Sequence, residues 1–115
     1  NITPKVSEII RKNGLLNGKV TLFVPHTTAA VTINENADPS VPRDIIFGLK
    51  KIIPHFSGFT HLEGNSDAHL KSSIIGCTQD VFVDEGRMIL GTWQGIFFCE
   101  FDGPRHRRVV VGIEE

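Results

Sequence analysis

The spacing of the apolar residues constrains this chain most. Over the first 76 residues it switches between helical and strand periods, and from there to the C-terminus it keeps the strand period. Val6, Ile9 and Ile10 form one face behind Thr3-Pro4, a cap and first-turn pair, and Asn13-Gly14 is a stop, so a helix is predicted over 4–12. Lys19–Val24 alternates as a half-buried strand between the Asn17-Gly18 turn and Pro25, and β-branched Thr27–Ile33 predicts a second strand. Asp38-Pro39 opens a segment in which Ile45, Ile46, Leu49, Ile52 and Ile53 recur at helical spacing up to Pro54. Ser66 is expected to cap a third helix ending at Ile75, with Gly76 as its stop. Beyond Gln79, Val81 and Val83 alternate and Asp84-Glu85-Gly86 turns. Further strands are predicted at 87–90, 95–101 and 107–113. Mixed order ending in antiparallel hairpins predicts an α+β fold: a single compact domain over 1–115, an antiparallel or mixed β-sandwich with about three helices. Ile74 and Val83 are expected in its core.

A length of 115 residues suits one domain. Twelve Lys and Arg against thirteen Asp and Glu leave a formal charge of −1, so no global field draws the chain to nucleic acid or an anionic membrane. No apolar run approaches the ~20 residues of a bilayer span. Two cysteines make no disulfide framework and read as reduced thiols of a cytoplasmic protein without a signal peptide.

Three groups of polar residues stand out from this pattern. The first is Pro25-His26-Thr27-Thr28 with Asn34-Glu35-Asn36 at the far end of the next strand. Side chains just past a buried strand project from a rigid edge, but the same residue types also build ordinary turns. The second is His61, Glu63, Asn65, Asp67 and His69. Imidazole and carboxylate ligate zinc and other divalent ions. His61 and His69, eight residues apart, are not a one-helix metal pair, though a loop entering a helix can bring them together. Acidic residues there also stabilise a helix N-terminus with no ligand at all. The third is Gly91-Thr92-Trp93-Gln94-Gly95, followed by Glu100, Asp102, Arg105, Arg107 and Arg108. The flanking glycines suit a bulge presenting Trp93 and Gln94, and the indole can stack on a flat ring or anchor a core or interface. The arginines can clamp a phosphate or form a solvated face. Cys77 and Cys99 have no adjacent base and read as structural. Nucleophile-elbow, Walker A and dinucleotide-binding motifs are absent from the sequence.

Four ordered blocks carry a resemblance: Pro25–Ala30 with Asn34–Pro39, Glu63–Lys71, Gly91–Gly95, and Cys99–Arg105. Together they resemble the YjbQ-like family, also called the secondary thiamine-phosphate synthase family, over nearly the whole chain. Members usually carry a further β segment ahead of the position of Ile2-Thr3-Pro4. The resemblance implies an α+β trimer with sites near subunit boundaries, and weak thiamine-phosphate synthase activity in some members. It places the family's polar site on His26, Glu35, Asn36, His61, Glu63, Asn65, His69, Gln94 and Arg105.

The synthase joins hydroxymethylpyrimidine diphosphate to a thiazole phosphate and expels diphosphate. That chemistry needs neutralisation of the leaving group, a platform for the pyrimidine ring and exclusion of water. The expected catalytic residues are His26, Glu35, Glu63 and His69. Asn36, Asn65, Trp93, Gln94 and Arg105 are expected to hold the substrate, a small phosphorylated molecule or anion. His26, His61 and His69 are expected to converge on a divalent ion, Zn or Mg. The same residues admit two other readings: a metal- or anion-binding trimer with only incidental synthase activity, and metal-dependent hydrolysis with Glu35 or Glu63 as base. Phe97, Phe98 and Trp93 exceed what one thin core hides, which also points to a homotrimer.

Overall fold

The computed structural model describes residues 1–56 and 58–115. Its elements, in chain order, are α1 (Thr3–Lys12), β1 (Gly18–Phe23), β2 (Ala29–Glu35), α2 (Ser40–Ile52), α3 (Ser66–Ile75), β3 (Thr78–Asp84), β4 (Arg87–Met88), β5 (Gln94–Glu100) and β6 (Val110–Glu114). They form two antiparallel sheets, ordered β4-β3-β1-β6 and β2-β5. This is the expected α+β architecture with three helices.

The strand period explains the core. Val20 and Leu22 of β1 and Val81 and Val83 of β3 point inward, while Phe82 between them points out. Ala29 and Val31 of β2 and Ile96 of β5 close the core from the second sheet, and Val6 and Ile10 of α1 complete it. The sheets are also tied across: Val31 N–H donates to the Gly76 carbonyl at 3.1 Å and Val24 N–H to that of Cys77 at 2.8 Å.

Several local expectations are corrected. Thr3 does not cap α1: its hydroxyl accepts from Ile96 N–H at 2.8 Å, locking the helix onto β5. Asn65, not Ser66, occupies the cap position of α3, and no side chain caps that helix. The return strand β4 has two residues, since the chain turns away after Met88, and β6 begins at Val110 because Arg107 is drawn inward instead. Ile74 is 65% exposed, on the side of α3 away from the core, whereas Val83 is buried as expected. The largest difference is α2. The helix forms as its period predicts, yet none of its residues is buried, and Ile46, Phe47 and Ile52 face outward.

Candidate functional site

The β2–β5 ladder organises the polar residues and separates them. Its register runs from Ala29↔Glu100 to Glu35↔Gln94, six steps or about 20 Å along the strands. The predicted site residues divide between these two ends.

At the Ala29 end, Phe101 N–H donates to the Thr28 carbonyl. The chain then turns through Asp102-Gly103-Pro104 and brings Arg105 and Arg107 back over the ladder. A closed ring of four side chains forms here. Asn65 Nδ2 donates to Glu63 Oε2 at 3.2 Å and to Asp102 Oδ2 at 2.7 Å. Arg105 Nη2 donates to the same two oxygens, at 3.0 and 2.8 Å, and Arg105 Nε donates to the Asp102 carbonyl at 2.9 Å. The Asn65 amide, followed by the Arg105 guanidinium, holds the Asp102 carboxyl below the usual carboxylate range. Asn65 Oδ1 is buried and finds no partner among the described residues.

The other Glu63 oxygen, Oε1, lies 3.9 Å from His61 Nε2. The His61 and His69 rings stand edge to face, 5.4 Å between centroids. The sequence-predicted pair therefore does meet, because His61 lies in the loop that enters α3 and His69 lies on its first turn. His26 sits at the same end. Its Nε2 accepts from the Arg108 backbone N–H at 3.0 Å, and the carbonyl of its neighbour Thr27 accepts from Ser72 Oγ, one turn beyond His69. That hydrogen bond occupies one of the two His26 nitrogens. Among the described residues, no group of three or more His, Cys, Asp or Glu side chains forms a metal-holding cluster.

The arginines face inward. Arg107 grips Glu100 with Nε to Oε1 at 2.8 Å and Nη2 to Oε2 at 2.6 Å, and also reaches Thr28 Oγ1 at 2.8 Å. This fork lowers the Glu100 carboxyl below its ordinary range and raises the Arg107 guanidinium. Arg105 is matched by two carboxylates. The expected phosphate clamp is thus, within one chain, a pair of internal ion pairs. Sequence reasoning treated Asp102 as a turn former and missed its role. Its partner Asn65 is 37 positions away, and only the fold joins them.

At the opposite end, Glu35 pairs in register with Gln94, and Asn36 N–H donates to the Trp93 carbonyl at 2.8 Å. Gln94 Oε1 folds back to accept from Gly91 N–H at 2.7 Å, which closes the turn that presents Trp93, 62% exposed. Gly95 is required by close approach, since a Cβ there would lie 2.3 Å from Asn36 Nδ2. Between the two ends, a groove of about 500 Å³ runs beneath α2, lined by Ile45, Leu49, Phe97 and Phe101 with Lys71 and Glu35 at its margin.

An α+β sandwich with a His/Glu/Asn corner at one end of a two-stranded ladder is the class of protein that this geometry defines. The chain belongs to the family described as UPF0047 protein YjbQ-like, which it matches over residues 1–115. It is 56% identical over 113 residues to the UPF0047 protein MJ1081 of Methanocaldococcus jannaschii, covering 98% of this chain and 82% of that one. It is 49% identical over 108 residues to the UPF0047 protein YugU of Bacillus subtilis, covering 93% and 82%. A solved structure of an uncharacterised conserved YjbQ/UPF0047 protein from Clostridium acetobutylicum superposes with a TM-score of 0.96 at 49% identity, covering 99% of this chain and 88% of that one. The conserved hypothetical protein TT1486 of Thermus thermophilus superposes with a TM-score of 0.92 at 44% identity, covering 99% and 89%.

Proposed function

We propose that this chain is one subunit of a homotrimer that carries out group transfer on small phosphorylated molecules, and that each active site is shared between two subunits. The observation that carries this is the division of the expected site. His26, His61, Glu63, Asn65, His69 and Arg105 gather at one end of the β2–β5 ladder, and Glu35, Asn36, Trp93 and Gln94 at the other. Those two ends are too far apart, at about 20 Å, to meet on one small reacting centre. In a cyclic trimer one end of each subunit can face the other end of its neighbour. The uncovered α2, with Ile46, Phe47 and Ile52 outward, supplies apolar surface for such an assembly.

The reaction that the family likeness suggests is thiamine-phosphate formation. The thiazole nitrogen attacks the pyrimidine methylene, a C–N bond forms, the C–O bond to diphosphate breaks, and diphosphate leaves. His61 and His69 are suited to moving a proton near neutral pH. Glu63 Oε1 is the carboxylate oxygen turned towards them. Trp93 would provide the ring platform from the neighbouring subunit. Two imidazoles fall short of the three protein ligands usual for catalytic zinc, so a Zn or Mg ion does not fit the residues of one chain, and no step here runs through one.

Subunit mixing tests the proposal. His69→Ala and Glu35→Ala proteins are each assayed for thiamine-phosphate formation, with Mg or Zn and with chelator, then unfolded, mixed equally and refolded. Each alone should be inactive, and the mixture should recover about one quarter of wild-type activity, the fraction of shared sites that draw both intact residues. A mixture of folded trimers as inactive as its parents would sink the shared-site reading.

A further inference from the structure

We propose that Asp102 is the positioning residue for Glu63, an inference that rests on reading Glu63 as the reactive carboxylate of this site. The two donors that hold Glu63 are the two that hold Asp102, and in each case Asp102 has the shorter bond: 2.7 against 3.2 Å from Asn65 Nδ2, and 2.8 against 3.0 Å from Arg105 Nη2. Arg105 is further fixed by its Nε on the Asp102 carbonyl at 2.9 Å. Asp102 therefore orients both donors, and the donors orient Glu63.

The consequence lies in which oxygen is held. Both donors fall on Glu63 Oε2, which leaves Oε1 as the oxygen directed at His61 Nε2, 3.9 Å away. The terminal torsion of a free Glu side chain is broad. With one oxygen held twice, the carboxylate turns only by breaking two hydrogen bonds. Glu63 is 57% exposed and has no apolar packing to do this work, whereas the Asp102 side chain is 26% exposed and stands on the turn that ends β5. The fixed anchor thus comes from the C-terminal segment and the mobile acid from the loop before α3. Orientation of this kind is worth about 10- to 100-fold in activity where outer residues support a reacting group.

The test has two arms, both on the full chain. The first is a crystal structure of Asp102→Asn, with Arg105→Lys as a second variant should the first fail to fold. The expected result is a Glu63 carboxylate turned away from His61 with the 61–65 backbone in place. A folded variant with Glu63 unmoved overturns the proposal, and so does failure of both variants to fold, since the ring would then be a structural tie. This arm needs no assay. The second arm is steady-state formation of thiamine phosphate from the pyrimidine diphosphate and thiazole phosphate. Per folded subunit, kcat of Asp102→Asn should fall about 10- to 100-fold with KM within about twofold. The Asp102→Asn/Glu63→Gln double variant should be no slower than Glu63→Gln alone, because Asp102 acts through Glu63. Multiplying losses overturn the proposal. A wild-type chain that forms no thiamine phosphate counts against the proposed function alone, and the crystallographic arm then decides Asp102.

Discussion

Single side chains at the Ala29 end of the ladder divide into those that react and those that hold. Glu63 and His61 are 57% and 48% exposed at their side chains. Replacing Glu63 or His69 by Ala should abolish activity while changing stability by no more than about 0.5 kcal/mol, as for most surface sites. Parallel melting and activity assays check this. A melt collapsing with either variant would make that residue structural. Asp102 and Glu100 impose a pH dependence whose sign follows from their neighbours. Asn65 and Arg105 lower the one and Arg107 the other, so each ionises more readily folded than unfolded. Their stabilisation is present above the ordinary carboxylate range, near pH 4, and is lost as pH falls through the depressed folded values. Melting temperature should therefore hold between neutrality and about pH 5 and drop below about pH 4. Glu100→Gln should flatten that drop. An unchanged slope would show that the Arg107–Glu100 fork contributes no net stability.

Among the elements, β1 is held on both sides, by β3 and by β6, and its ends are tightly met. A Cβ on Gly18 would lie 2.1 Å from the Glu114 carbonyl oxygen, which is backbone and cannot swing aside. Gly18→Ala should cost about 2 kcal/mol or more by forcing the β1–β6 pairing apart, read as a lower denaturation midpoint. A variant as stable as wild type would mean that β6 can lift away freely. The two-stranded β2–β5 ladder would be marginal alone. It is stable here because Val31 and Ile96 enter the core of the four-stranded sheet. The same comparison separates two residues expected to be alike. Val83→Ala should cost about 2 kcal/mol. Ile74→Ala, at a position 65% exposed, should be near neutral in a monomer. A large Ile74 cost would show that a partner subunit covers it.

The molecule as a whole is longer than its length requires. Its radius of gyration is 15.6 Å and its extents are 51 × 28 × 20 Å, against roughly 13 Å for a compact chain of this size. The outline and the uncovered face of α2 belong together, since a helix with Ile46, Phe47 and Ile52 outward is unfavourable for a lone chain in water. Multi-angle light scattering at micromolar concentration should give about 38 kDa, three times the 12.7 kDa chain. Phe47→Asp should lower that mass and the activity together. A monomeric wild type would remove the shared-site reading.

What the sequence by itself determined was everything set by near neighbours along the chain. The bounds of α3 at Ser66 and Ile75, the alternation that buries Val20, Leu22, Val81 and Val83, and the Asp84–Gly86 turn all depend on contacts a few residues apart. The meeting of His61 with His69 was legible for the same reason, since one loop and one helical turn join them. The tertiary structure alone decided what depends on distant pairing. It turned Thr3 from a cap into a tether for Ile96, made Asp102 the partner of Asn65, and left Ile74 and the apolar face of α2 uncovered. It also set the two halves of the expected site at opposite ends of one ladder. Periodicity tells which face of an element is apolar, but not what will cover it. A strand's register sets the distance between its ends, and this chain's polar blocks sit at both.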